Sequence, residues 1–245
     1  MDIFILTVAA FIGSAFNAVA GGGSFFTYPA LIFTGVPILN ANATSTFALW
    51  PGTLSSAYTY RNDIPSNKKM VLGLILTSIA GGTIGTFLLL NTSDTVLQKL
   101  LPFLMIFATL LLFFKHKLKS KNPASNPYKA MAFQLLISIY GGYFGGGMGI
   151  MMLATFSLMG FNDLTTMNAL KTVLASFING VAVIIFSLTH QIFWQQALMM
   201  CIAAIAGGYW GVIFAKRIDG KYLNGIIIAV GFIFSVIFFI KAYVL

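Results

Sequence analysis

Gly21-Gly22-Gly23-Ser24-Phe25-Phe26 and Gly145-Gly146-Gly147-Met148-Gly149-Ile150 decide how this chain folds. Each triple glycine opens an apolar run, 24–36 in one case and 147–159 in the other. A helix needs about 20 apolar residues to cross the hydrocarbon core, so neither run crosses alone. Around them stand longer apolar runs at 3–19, 43–60, 70–90, 100–114, 130–144, 168–188, 194–214 and 222–243. The pattern predicts an all-α polytopic membrane protein of eight to ten membrane segments, two of them short and interrupted by glycine.

Composition agrees. Of 245 residues, 58% are hydrophobic and 8% charged, against about a quarter charged in soluble domains. So much apolar surface needs a lipid bilayer as its partner. Residues 1–245 are expected to form a single transmembrane transport domain: repeat 1 over about 3–114, a cytoplasmic linker at 115–129, and repeat 2 over about 130–243. The opening Met-Asp-Ile-Phe-Ile has no basic n-region, so 3–19 is expected to stay as the first segment. The net charge of +9 lies between apolar runs and reads as a topology signal, not as a nucleic-acid surface. Cys201 is the single cysteine, which excludes a disulfide framework or a thiolate metal site. No cofactor is expected.

Alternating the loops between the two faces puts Arg61, Lys68, Lys69, Lys115, Lys117, Lys119, Lys121, Lys129, Lys216, Arg217 and Lys221 on one side. These are 11 of the 14 basic residues. The positive-inside rule makes that side cytoplasmic and both termini external. This assignment holds whether the short runs cross or re-enter, because either way the chain returns to the side it left.

The halves match each other. Gly21–Gly23 maps onto Gly145–Gly147 at an offset of 124. At an offset of 126, Asn42-Ala43 maps onto Asn168-Ala169, Thr46 onto Thr172, and Ile79-Ala-Gly-Gly-x-x-Gly85 onto Ile205-Ala-Gly-Gly-x-x-Gly211. Each half has an odd number of crossings, so the copies are inverted. That layout in secondary transporters puts the binding site near the midplane, between the repeats.

Three groups of residues are candidates for a small anionic substrate. Helices starting after Gly21, Gly22, Gly23 and Ser24, and after Gly145, Gly146 and Gly147, would offer amide donors and a partial positive charge at mid-membrane. Alternatively these glycines only allow close packing, the reading preferred for Gly81, Gly85, Gly207 and Gly211. The second group is the polar run at 42–60, with donors Asn42, Thr44, Ser45 and Thr53 and an expected kink or unwinding at Pro51-Gly52. Its counterpart holds Asn168, Thr172 and Asn179. Both sets can instead glue helices together. The third is Lys171, which either faces a cavity or snorkels to the headgroups beside Asp163. The five acids, Asp2, Asp63, Asp94, Asp163 and Asp219, fall in or beside loops. A proton-coupled carrier or a cation carrier therefore lacks its carboxylate, and a membrane enzyme lacks a catalytic constellation. A permease for another small metabolite and a non-transporting scaffold subunit remain alternatives.

At these residues the sequence resembles the TauE/SafE sulfite-exporter family. The resemblance is carried by Ala20-Gly-Gly-Gly-Ser24, Pro29, Ala41-Asn-Ala-Thr-Ser45, Trp50-Pro51-Gly52, Tyr60-Arg61, Gly141-Gly-Tyr-Phe-Gly-Gly-Gly-Met-Gly149, Asn168-Ala-Leu-Lys171 and Ala206-Gly-Gly-x-x-Gly211. It implies a multi-pass permease of the bacterial inner membrane with inverted repeats, exporting sulfite or a related sulfur-containing oxyanion or organosulfonate. One departure is internal: Thr44-Ser45 in the first half faces Leu170-Lys171 in the second, which breaks strict symmetry. Oligomeric state stays open.

Overall fold

A computed structural model describes residues 2–114, 127–161, 163–215 and 220–244. Lys115, Lys117, Lys119, Lys121, Lys216 and Arg217 lie outside them, as does most of the expected linker. Among the described residues the chain forms ten α-helices: α1 (Asp2–Ala20), α2 (Ser24–Phe33), α3 (Ile38–Thr59), α4 (Lys68–Leu90), α5 (Asp94–Phe114), α6 (Pro127–Tyr143), α7 (Met148–Leu158), α8 (Leu164–Leu188), α9 (Trp194–Ala215) and α10 (Gly220–Tyr243). A 3-10 turn, Arg61–Asp63, follows α3.

Four described stretches are long and apolar enough to cross a membrane: Asp2–Val19, Lys68–Leu90, Leu164–Leu188 and Trp194–Phe214. At 1.5 Å per residue, the 10-residue α2 and 11-residue α7 reach only about halfway through a core of roughly 30 Å.

The helix pairing has a regular form. α1 packs on α9 and α6 on α4; α3 packs on α9 and α8 on α4; α3 crosses α8, and α5 pairs with α10. Exchanging α1–α5 with α6–α10 turns this set of pairs into itself. Glycine makes the two longest seams tight. A Cβ on Gly81 would stand 2.5 Å from Ser138 Cβ, one on Gly85 would collide with the Ile139 carbonyl, and one on Gly211 would stand 2.6 Å from Ala15 Cα. The packing reading of these glycines is the one the structure adopts.

The ends of the bundle are distinct. One gathers Asp2 beside Thr34, the 34–37 connection beside Asp94 and Lys241, and Asn40 bonded to Gln191. The other gathers Tyr60 and Ile64 against Ala169 and Val212. Exposed apolar side chains such as Phe4, Leu76, Leu136, Ile184 and Ile202 cover the outside, as a lipid-facing surface requires.

Where the glycine breaks meet

The chain breaks helix twice at corresponding points, between α1 and α2 and between α6 and α7. Gly21, Gly145 and Gly147 have φ near +80°, the left-handed region that only glycine enters cheaply. The two breaks touch: a Cβ on Gly21 would stand 2.5 Å from Gly149 Cα. Gly22, Gly23, Gly146 and Gly147 are buried there. Neither the α2 nor the α7 N-terminus carries a side-chain cap; the amides of Phe25 and Phe26 bond back to the Gly22 and Gly23 carbonyls, and those of Met148 and Ile150 to the Gly145 and Gly147 carbonyls.

Beside this junction lies a small cavity of about 10 Å³, room for about one water molecule. It is lined by the end of α1 (Asn17, Ala18, Gly21), by Thr53 and Ser56 of α3, by Met148 and Gly149 at the start of α7, and by Lys171, Thr172 and Ala175 of α8. All these elements come from both halves of the chain.

Lys171 is the only charged side chain buried among the described residues, at 2% exposure. Its ammonium donates to the carbonyls of Asn17 (3.1 Å) and Ala18 (3.0 Å) and to Asn168 Oδ1 (2.9 Å). The two carbonyls belong to the last turn of α1, the negative end of its dipole, and the Asn17 carbonyl also accepts the Gly21 amide at 3.1 Å. Lys171 thus turns inward; it does not snorkel. Asp163 has other work at the start of α8. Its carboxylate accepts from Thr165 N, Thr166 N and Thr166 Oγ1, and those bonds hold its pKa below the usual carboxylate value, the Thr166 side-chain bond contributing most.

The first half has a related arrangement at the end of α6. Asn42 Nδ2 donates, at the long distances of 3.5 and 3.4 Å, to the carbonyls of Tyr143 and Phe144. Asn42 thus bonds to the end of the other half's first helix directly, whereas Asn168, matched to it in sequence, accepts from the Lys171 ammonium that does so. The symmetry then breaks: Ser45, opposite Lys171 in the repeat, bonds to Thr27 Oγ1 at 2.6 Å.

The remaining expected donors divide. Thr53 and Thr172 line the cavity; Thr53 accepts from Asn17 Nδ2 at 3.2 Å, and Thr172 donates to the Asn168 carbonyl at 2.6 Å. Thr44 points elsewhere, its hydroxyl accepting the Phe193 amide just ahead of α9. Gly22, Gly23, Ser24, Gly145, Gly146, Gly147, Pro51 and Asn179 are not among the residues lining the cavity. Of the kink or unwinding expected at Pro51-Gly52, the unwinding does not occur, because α3 continues through it from Ile38 to Thr59. Proline cannot donate to the carbonyl four residues back, and that carbonyl, of Phe47, accepts the Cys201 thiol at 3.9 Å instead.

Sequence reasoning missed Asn17, Ser56, Met148 and Gly149. Asn17 left a signal, the single side-chain amide of the 3–19 run, four residues before the glycines. Ser56 left none, since its hydroxyl is one of several on α3 and bonds to the Gly52 and Gly208 carbonyls. Among the described residues, no three His, Cys, Asp or Glu side chains gather to hold a metal.

Comparison with known proteins agrees with this architecture. The family model for the sulfite exporter TauE/SafE matches residues 5–238. A probable membrane transporter protein of Haemophilus influenzae is 31% identical over 212 residues, covering 84% of this chain and 82% of the relative. A probable membrane transporter protein, ORF9, of a Sinorhizobium species is 28% identical over 92% of this chain and 87% of its own. The probable membrane transporter protein YfcA of Escherichia coli K12 is 27% identical over 95% and 86%. No solved structure matches. With 234 of its 245 residues inside the family model, the chain belongs to the sulfite exporter TauE/SafE family of membrane transporters.

Proposed function

We propose that this protein moves a small anion across the bacterial inner membrane through the junction of two inverted repeats, α1–α5 and α6–α10. The substrate is sulfite or a related sulfur-containing oxyanion or organosulfonate. One observation carries the reading: the only buried charge among the described residues, Lys171, borders the cavity where the two glycine breaks meet. An ammonium, the start of α7 and the hydroxyls of Thr53, Ser56 and Thr172 all favour negative charge at the same spot. The exchange symmetry of the helix pairing supports the inverted arrangement.

The substrate choice follows the family name and the need for an oxyanion to accept several hydrogen bonds. A cavity of about 10 Å³ is too small for such an ion, so the conformation is a closed one between access to either side. The excess of basic residues around 61–69, 115–129 and 215–221 supports a cytoplasmic assignment for that end and a periplasmic one for both termini. With the cell interior negative, export of each unit charge gains about 2.3 kcal/mol per 100 mV, a sufficient driving force without a proton-carrying carboxylate.

Purified protein in liposomes tests this. Sulfite efflux is expected to follow an imposed inside-negative potential and to fall to downhill exchange when the potential is clamped at zero. Undiminished uphill transport at zero potential refutes the driving force, and failure to move sulfite, sulfoacetate and taurine alike refutes the function.

A further inference from the structure

At the end that gathers Asp94 and Lys241, a pocket of about 330 Å³ opens between Ile32, Ile38, Asp94, Gln98, Phe238 and Lys241. Its rim carries one acid and one base, both exposed. Ile32 closes α2 toward this pocket and Ile38 opens α3 from it. One helical turn deeper on the same faces stand Tyr28 and Asn42, about 6 Å further in. Tyr28 is 2% exposed, and its hydroxyl has no hydrogen-bond partner among the described residues. The ring meets Phe144 edge-on at 6.0 Å, and the Phe144 carbonyl is one of the two that receive the Asn42 amide. The neighbouring Thr27 holds Ser45. The ring therefore packs in the apolar cluster beside the second glycine break, one helical turn from the Ile32 that lines the large pocket, and its orphan hydroxyl is buried there.

A buried hydroxyl with no partner costs free energy, and folded chains keep such groups where another state or a ligand supplies the partner. We propose that Tyr28 is a specificity-determining donor on the outer half of the path. An anion passing between the Lys171 cavity and the outer pocket accepts its O–H, with Asn42 as a second donor. The inference rests on the anion-transport reading above and deepens it by giving the outer half a binding station of its own. That station is uncharged, so it holds the ion more weakly than the Lys171 side and releases it toward the pocket.

Tyr28→Phe removes the hydroxyl and no hydrogen bond, so its melting temperature should equal or exceed that of wild type. In proteoliposomes with sulfite as the probe, its KM is expected to rise roughly 10–100-fold, the loss of one hydrogen bond to a charged group. An unchanged KM alongside active wild type overturns this inference alone. A lowered melting temperature with unchanged KM assigns the hydroxyl to a trapped water and also overturns it. Wild-type vesicles that move no sulfur oxyanion overturn the transport reading and this station with it. A second measurement keeps the hydroxyl: 3-fluorotyrosine installed at position 28 should show a 19F resonance that moves on sulfite addition, and a stationary resonance counts against the proposal.

Discussion

Replacing Lys171 separates two jobs that the structure assigns to one ammonium. The first is structural. Lys171→Met takes this donor from the Ala18 carbonyl and Asn168 Oδ1 and leaves the Asn17 carbonyl with the Gly21 amide alone, in a site that is 2% exposed. Each orphaned buried acceptor costs about 1–3 kcal/mol, less whatever water repairs, while removing a buried charge returns part of its desolvation cost. A net loss of about 2–4 kcal/mol is expected, read as a fall in melting temperature in detergent. The second job is electrostatic. A unit charge about 4 Å from an anion, at an effective dielectric constant of about 20, contributes about 4 kcal/mol, or roughly a thousandfold in affinity. Lys171→Gln divides the two, since a neutral amide can still donate to a helix end. It is expected to regain much of the lost stability and none of the lost affinity. Titration calorimetry with sulfite on wild type and both variants provides the check. Sulfite binding to Lys171→Gln within threefold of wild type would refute the electrostatic role.

Further outcomes follow from the same geometry. Gly21→Ala combines φ of +80° with a Cβ 2.5 Å from Gly149 Cα, an expected loss of about 2–5 kcal/mol. Gly35→Ala has φ of +86° but open space around it, so about 1 kcal/mol is expected; equal losses in thermal melts would show that the contact between the glycine breaks is not tight. Gly208→Leu would drive a side chain into the Gly52 carbonyl, parting α9 from α3, and transport by this variant at the wild-type rate would contradict the seam. Asp163→Ala removes the α8 cap, a loss of about 1 kcal/mol. Because the folded-state pKa of Asp163 is lowered, the wild-type advantage over Asp163→Ala is present above the ordinary carboxylate range and disappears as pH falls through the lowered value. Melting curves of the two proteins from neutral pH downward should converge, and a constant gap would exclude the capping carboxylate as the cause.

Much of the architecture was legible in one dimension, because a bilayer imposes a length and a polarity on every crossing. Each of the ten apolar runs corresponds to a helix, and the two short runs are the two short helices. Boundaries moved where polar residues are helical. α3 begins at Ile38, after Pro37, and not at 43, since Asn40 and Asn42 find partners across the fold, at Gln191 and at the end of α6. α2 stops at Phe33, short of 36, where Gly35 turns the chain with positive φ.

The sequence by itself determined that this is a multi-pass membrane protein, that short motifs recur along it in the same order, and that a triple glycine precedes each of its two short apolar runs. Apolar length, repeated spacing and the unique backbone freedom of glycine are local properties, and they survive without knowledge of neighbours. Only the tertiary structure decided which polar groups share a space. α3 carries hydroxyls around much of its circumference, so spacing along the helix cannot say that Thr53 faces the cavity while Thr44 accepts the Phe193 amide. Likewise, Lys171 has a stem long enough to reach either the headgroups or the end of α1. The choice fell to the carbonyls of Asn17 and Ala18 at the end of α1, some 150 residues away along the chain, because a helix end in the membrane must find its donors wherever the fold supplies them.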